Sequence, residues 1–303
     1  MSAVMGIGVV CALRHKIGES PLWVGDTGCL WWLDAGGREV RRLHVESGAL
    51  DTFLMPASPA ALALGDGGRI VIAAGLAWYT LDADTGAVVE VARLEGQAAG
   101  VRLNDGVTDS MGRFWVGTLS RAPEREPIGC LYCLEGGEAR ESLGGLRTQN
   151  GAAISPDGRT FYLADSHAAV ATIWAFDFDV QSGTLSNRRV FHRPERGRPD
   201  GAAVDADGCY WFAAVDGGQV VRLDPAGRVM SAIDLPVSRP TKPAFGGADL
   251  STLYVTTMSA GLDEDALASE PLAGAILEVD AGVRGWPQPR AKVAFESGRG
   301  PQT

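Results

Sequence analysis

Apolar residues in this chain gather in short runs rather than in helical stripes. Six five-residue runs, LWWLD, IVIAA, FWVGT, FYLAD, YWFAA and LYVTT, are separated by glycine-rich and polar turns. Each is too short for a helix and rich in β-branched and aromatic residues, which predicts buried strands. A first strand precedes each run, and a third and a fourth follow it. The third strands contain EVRRLHV, LAWYTLD, GCLYCLE, TIWAFDF, GQVVRLD and GAILEVD, with turns such as SGAL, DTGA, QSGT and DPAGR between strands. No segment sustains a 3.6-residue apolar period, and LDEDALASEPLA (262–273) is the one candidate for a short helical insert.

Aligned on these runs, the chain writes one phrase six times. NDGVTDSMGRFWVGT begins at Asn104, NGAAISPDGRTFYLAD at Asn150 and DGAAVDADGCYWFAA at Asp200. ESPLWVGDTGCLWWLD begins at Glu19 with one extra turn residue, and KPAFGGADLSTLYVTT begins at Lys242 with a polar turn in place of glycine. A weaker copy, AALALGDGGRIVIAA, begins at Ala60. The starts are 41, 44, 46, 50 and 42 residues apart, the length of one propeller blade (roughly 40–50 residues). The predicted fold is all-β: a six-bladed β-propeller with four-stranded antiparallel blades around a central channel. No Pro/Ser-rich linker interrupts it, so residues 1–303 read as a single domain. The segment VVCALRHKI and the tail AKVAFES are expected to complete the last blade and couple the termini.

Composition narrows the function. The net charge of −10 and pI near 4.9 weigh against a nucleic-acid partner, because phosphate backbones attract basic surfaces. No run of about 18 apolar residues predicts a membrane span. The apolar start MGIGVVCAL lacks a basic n-region and reads as a strand. Five cysteines at irregular spacing suit a reducing cytoplasm better than a disulfide framework. Cys130 and Cys133 spell C-x-x-C without a second pair, and on a strand they would face opposite ways, as two small buried hydrophobes.

The first strand of a propeller blade lines the channel, so one register of the repeat forms a ring. That ring reads Glu19, Ala60, Asn104, Asn150, Asp200 and Lys242. Asx-Gly at a strand start is by itself an ordinary turn, but five polar residues at one register are more than a turn requires. A buried polar group without a partner costs on the order of a few kcal/mol. Two carboxylates and two amide oxygens converging on a point match the ligands of a hard divalent cation. With no thiolate or histidine in the ring, a structural zinc cage is not expected.

The chain resembles the SMP-30/gluconolactonase/regucalcin-like sugar lactonases. The resemblance lies in GESPLW (18–23), RLNDGVTDSMGRFWVGT (102–118), QNGAAISPDGRTFYLADS (149–166), RPDGAAVDADG (198–208) and RPTKPAFGGADLSTLYVT (239–256), in order over nearly the whole chain. It implies a six-bladed propeller with one divalent cation in the channel, held by Glu19, Asn150 and Asp200. It further implies that Arg102 and Asn104 bind a sugar lactone and that Asp200 serves as the acid/base residue. Arg102 lies two residues before Asn104 and so on the same strand face. One departure is visible: where some members place an acidic substrate contact, this chain reads GTLSRAPEREP, with Arg121 and Ala122 there and Glu124 and Glu126 nearby.

Lactone hydrolysis asks for a Lewis acid, a carboxylate that takes and returns a proton, and groups that hold the sugar hydroxyls. Asp200 either takes the proton or only steers the attacking water. The cation could be Ca²⁺, Mg²⁺, Mn²⁺, Zn²⁺ or Fe²⁺, with oxygen ligands favouring the harder ions. Lys242 has two readings: a lysine paired with a nearby carboxylate, or a donor at the channel mouth that binds a lactone hydroxyl or the product carboxylate. Two other functions share these features, a metal-dependent esterase or organophosphatase and a non-catalytic calcium-binding regulatory protein. Nothing in the sequence reports the oligomeric state.

Overall fold

The six apolar runs are the second strands of six four-stranded antiparallel sheets. The computed structural model describes residues 6–121 and 126–293. In each sheet the strands lie in chain order from the axis outward, and the sixth blade recruits its outer strand from the N-terminus. The inner strands are Gly18–Val24, Pro59–Leu64, Val101–Thr108, Gln149–Ile154, Arg198–Val204 and Pro240–Gly246. Each packs beside the next, and that of blade 6 against that of blade 1, so the ring is closed. The protein is a six-bladed β-propeller.

Burial explains why the second strands do not alternate. Cys29–Asp34, Ile70–Ala74, Phe114–Ser120 and Tyr210–Val215 are buried at every residue, since each meets a neighbouring blade on both faces. The outer strand Thr184–His192 is mostly exposed. The core is accordingly divided into six apolar clusters, one at each interface between adjacent blades. Trp32, Trp78, Trp115 and Trp211 are among the largest wholly buried side chains, and truncating such a residue to alanine costs about 3–5 kcal/mol.

The turns between inner and second strands are pinned by buried aspartates. Asp109 Oδ2 accepts from Arg113 Nε at 2.6 Å and Trp115 Nε1 at 2.8 Å. Asp205 Oδ2 accepts from Trp211 Nε1 and Arg222 Nε, both at 2.8 Å. Two blades therefore share one device: a carboxylate that satisfies an indole and a guanidinium inside the core.

Ile7–Cys11 pairs with Ile276–Asp280, the third strand of blade 6. The described part of the tail does not join that blade. Gly285 bridges Asp205 and Ala291 bridges Gly65, while the Lys292 N–H bonds to Gly112 O at 2.8 Å. Residues 285–292 thus strap the turns of blades 5, 2 and 3 at one end of the channel, and Val293 packs in the cluster between blades 2 and 3. Residues 294–297 of the anticipated tail strand lie outside the described residues. The helical insert is Glu264–Ser269, capped by Asp263, which accepts the Ala266 N–H at 2.9 Å. Cys130 packs between blades 2 and 3 and Cys133 between blades 3 and 4, so they do face opposite ways. All five cysteines are free. Among the described residues no helix is long and apolar enough to cross a membrane.

Candidate metal and catalytic site

Glu19, Ala60, Asn104, Asn150 and Asp200, together with Arg102, line one cavity of about 300 Å³. It opens at the end of the channel where the inner strands begin, opposite the strap. Lys242 is not brought there. Each inner strand carries a one-residue bulge near the ring register. In blade 6 the extra residue is Thr241, between the pairs Pro240–Thr257 and Lys242–Thr256. Thr241 thus holds the place that Ala60 holds in blade 2, between the pairs Pro59–Ala74 and Ala61–Ala73, and it lines the cavity while Lys242, the next residue, takes the other face. The Lys242 ammonium instead lies 2.5 Å from Asp105 Oδ1 and 3.1 Å from Gly106 O.

Bulges also set the backbone after two candidate ligands. Ser20 follows Glu19 with φ +49°, and Gly151 follows Asn150 with φ +58°, both in the left-handed region. At Gly151 a Cβ would lie 2.5 Å from Tyr210 Oη and 3.0 Å from Asp200 O, so glycine is required twice over. Ser20 tolerates the same strain with its Oγ accepting the Leu62 N–H at 2.8 Å. After Asp200, a Cβ on Gly201 would lie 2.5 Å from the Lys242 side chain. The N-G and D-G pairs therefore answer to crowding around the axis.

Asn150 is held in one orientation. Asn104 Nδ2 donates to Asn150 Oδ1 at 3.2 Å and to Gln149 O at 2.7 Å. Asn150 Nδ2 donates to Ser166 Oγ at 2.8 Å, and Ser166 Oγ donates in turn to Pro199 O. With its nitrogen tied to Ser166, Asn150 keeps its Oδ1 beside Asn104, where a carbonyl oxygen has a second lone pair to give.

The two acids sit differently. Glu19 Oε2 accepts the Ser20 N–H at 2.8 Å, and Asp200 is only 7% exposed. Burial, then repulsion from Asp105, pushes the Glu19 carboxyl up to about 7. Burial, then repulsion from Glu19, raises Asp200 well above the usual carboxylate range. Cations lie nearby, Lys242 paired with Asp105, and Arg198 and Arg239 sharing Asp216. Their pull on the half-buried Glu19 and the buried Asp200 is outweighed by desolvation, which raises both carboxyls. Among the described residues no cluster of three His, Cys, Asp or Glu is gathered for a metal, so a cation held by Glu19 and Asp200 would need the Asn150 amide as a third donor. Oxygen donors of this kind suit a hard divalent ion.

Several residues of the site escaped the sequence reading. Asp105 and Ser166 stand inside quoted motifs but off the ring register. Asp34 and Asp165, the last letters of LWWLD and FYLAD, hold the backbone leading into Glu19 and Asn150. Asp34 accepts the N–H groups of Lys16 at 3.1 Å and Ile17 at 3.0 Å, and Asp165 those of Arg147 at 2.7 Å and Thr148 at 3.0 Å. An aspartate closing the second strand in two blades was the available signal. Of the 117–127 loop, Arg121 and Glu126 are exposed, the Arg121 N–H bonds to Gly100 O at 2.9 Å, and Ala122 and Glu124 lie outside the described residues.

Comparison with known proteins agrees with the fold. Residues 17–259 match the SMP-30/gluconolactonase/LRE-like region. The chain is 36% identical to 6-deoxy-6-sulfogluconolactonase of Pseudomonas putida, over 92% of this chain and 97% of that relative. It is 34% identical to regucalcin of Gallus gallus, over 90% and 94%. Among solved structures, the calcium-binding protein regucalcin from Agrobacterium tumefaciens superposes with a TM-score of 0.89 at 30% identity, covering 94% of this chain and 97% of the other. The chain belongs to the SMP-30/gluconolactonase/LRE-like family.

Proposed function

We propose that this protein hydrolyses a sugar lactone to the aldonic acid, assisted by one divalent cation held by Glu19, Asn150 and Asp200. The observation that carries the reading is the half-buried Glu19 and the buried Asp200 with an oriented amide oxygen, in a cavity large enough for a sugar ring. A relative 36% identical over nearly the whole chain is a sulfogluconolactonase, which supports lactone chemistry. When bound, the cation supplies Lewis-acid polarisation of the lactone carbonyl.

The chain's own residues do the rest. Asp200 takes a proton from the water that attacks the carbonyl carbon and returns it to the ring oxygen as the acyl carbon–oxygen bond breaks. Both hydrogens of Asn104 Nδ2 are used within the protein, which leaves its Oδ1 to accept from a sugar hydroxyl. Arg102 lines the same wall and offers guanidinium donors to hydroxyls. Five unpaired cysteines suit a reducing compartment such as the cytoplasm.

The test is acid release from a panel of aldonolactones, with chelator and after adding back Ca²⁺, Mg²⁺, Mn²⁺, Zn²⁺ or Fe²⁺. Turnover lost to chelator and restored by one of these ions is expected. Tight cation binding with no hydrolysis of any lactone would instead support the calcium-binding reading, which the regucalcin likeness favours.

A further inference from the structure

The cavity wall built by blades 5 and 6 carries more positive charge than structural pairing needs. Arg198 lies two residues before Asp200 on the same inner strand and so faces the cavity with it. Its Nε and Nη2 reach Asp216 Oδ2 at 3.1 and 2.5 Å, and its Nη1 donates to Ser166 O at 3.0 Å. From blade 6, Arg239 Nε lies 2.8 Å from Asp216 Oδ1, and its Nη1 donates to Ala260 O. Two guanidiniums therefore share one carboxylate, and both line the cavity.

Two features separate this arrangement from an ordinary surface bridge. Asp216 is held with φ +63°, a left-handed conformation that few side chains adopt and that aspartate tolerates better than most. Both arginines are also half-buried, at 30% and 17% side-chain exposure, where charges are screened less than in bulk water.

Charge bookkeeping then gives a direction. In the proposed holoprotein, Glu19 and Asp200 balance the divalent cation. Arg198, Arg239 and Asp216 leave one positive charge on that wall. In a chain of net charge −10, a positive interior wall is a local arrangement rather than background, and it concentrates anions.

We propose that the Arg198–Asp216–Arg239 bridge is a specificity element that selects lactones bearing an anionic substituent away from the lactone carbonyl. A carboxylate, a sulfonate and a phosphate share the required chemistry, a fan of acceptor oxygens on a negative centre that matches a guanidinium fork. The inference rests on the lactonase reading.

The experiment uses the full chain loaded with its activating cation. Initial rates are compared for aldonolactones of one ring type whose terminal carbon bears a hydroxyl, carboxylate, sulfonate or phosphate. At least one anionic lactone is expected to exceed the neutral one in kcat/KM by about tenfold or more, the contribution of a single charge-assisted hydrogen bond. The preference should shrink at high ionic strength. In Arg239→Gln and Arg198→Gln it should fall towards unity through KM, and Arg239→Lys should restore part of it. Melting temperatures establish that the variants are folded, and the wild-type ratio stands whether or not they are. Equal kcat/KM for neutral and anionic lactones, or a preference that survives both substitutions, overturns this inference alone. No turnover of any lactone overturns the lactonase reading and this inference with it.

Discussion

Two groups of buried charge share the channel, and they are neutralised in opposite ways. Deeper in, Lys242 meets Asp105 at 2.5 Å and Gly106 O at 3.1 Å, and Asp105 Oδ2 also accepts the Ala152 N–H at 2.9 Å. That group ties blades 6, 3 and 4 together and closes on itself. At the mouth, the pull of Lys242 and Arg102 on Glu19 and of Arg198 on Asp200 is outweighed by burial, which pushes both carboxyls upward. One group is paired within the protein and serves the fold; the other is the group for which a cation is proposed. A polar residue at the ring register is therefore not functional by position alone. What decides is whether its partner is already supplied.

The strongest test of that contrast is Asp200→Asn. It keeps the shape and removes the proton acceptor, so turnover should fall by about a hundredfold to ten-thousandfold. Removing one of two repelling buried carboxylates should leave the melting temperature of the chelated protein unchanged or higher. Turnover within a few-fold of wild type would place the base elsewhere.

Lys242→Met should do the reverse. It strands Asp105 as an uncompensated buried charge, at a cost of about 3–5 kcal/mol, read by denaturant unfolding. Adding Asp105→Leu to the same chain should recover much of the loss, because no lone charge then remains. A rise in KM with unchanged stability would return Lys242 to the substrate-binding role its register first offered.

Acidity separates the mouth from the rest. The Glu19 carboxyl is raised in the folded state, from 4.5 to about 7, so the folded chelated protein holds a proton that the unfolded chain has released. Stability from this group is complete below about pH 4.5 and is lost as pH rises towards 7, by up to about 1.4 kcal/mol per pH unit. With a cation bound the slope should flatten or reverse, since the ion competes with the proton. Chemical unfolding at several pH values, with and without chelator, measures both slopes. A chelated slope of zero would mean that the mouth is not carrying unmatched charge.

The smallest effect concerns orientation. Ser166→Ala removes the acceptor of Asn150 Nδ2 and leaves the amide free to turn. Cation affinity should weaken about tenfold to a hundredfold, seen by calorimetric titration, with little change in the melting temperature of the chelated form. Unchanged affinity would show that Asn104 alone holds Asn150.

The number of blades, their strand order and, in five of the blades, the ring register were legible in the chain. They depend on local periodicity: a buried second strand every 41 to 50 residues, turns that need glycine or aspartate, and the two-residue alternation of a pleat. Partners and small slips were not legible. In blade 6 Thr241, not Lys242, holds the position that lines the cavity, and an offset of one residue leaves no mark on the repeat. The Lys242–Asp105 pair spans 137 positions, and Arg198 and Arg239 meet Asp216 from separate blades. Of the two segments expected to finish the last blade, the N-terminal one does so, while the described start of the tail, residues 291–293, crosses to blades 2 and 3. Contacts of this kind are made only when the ring closes, because they depend on which blades face one another across the axis. Sequence therefore determined which residues approach the channel, and the closed ring decided which of them are already neutralised there.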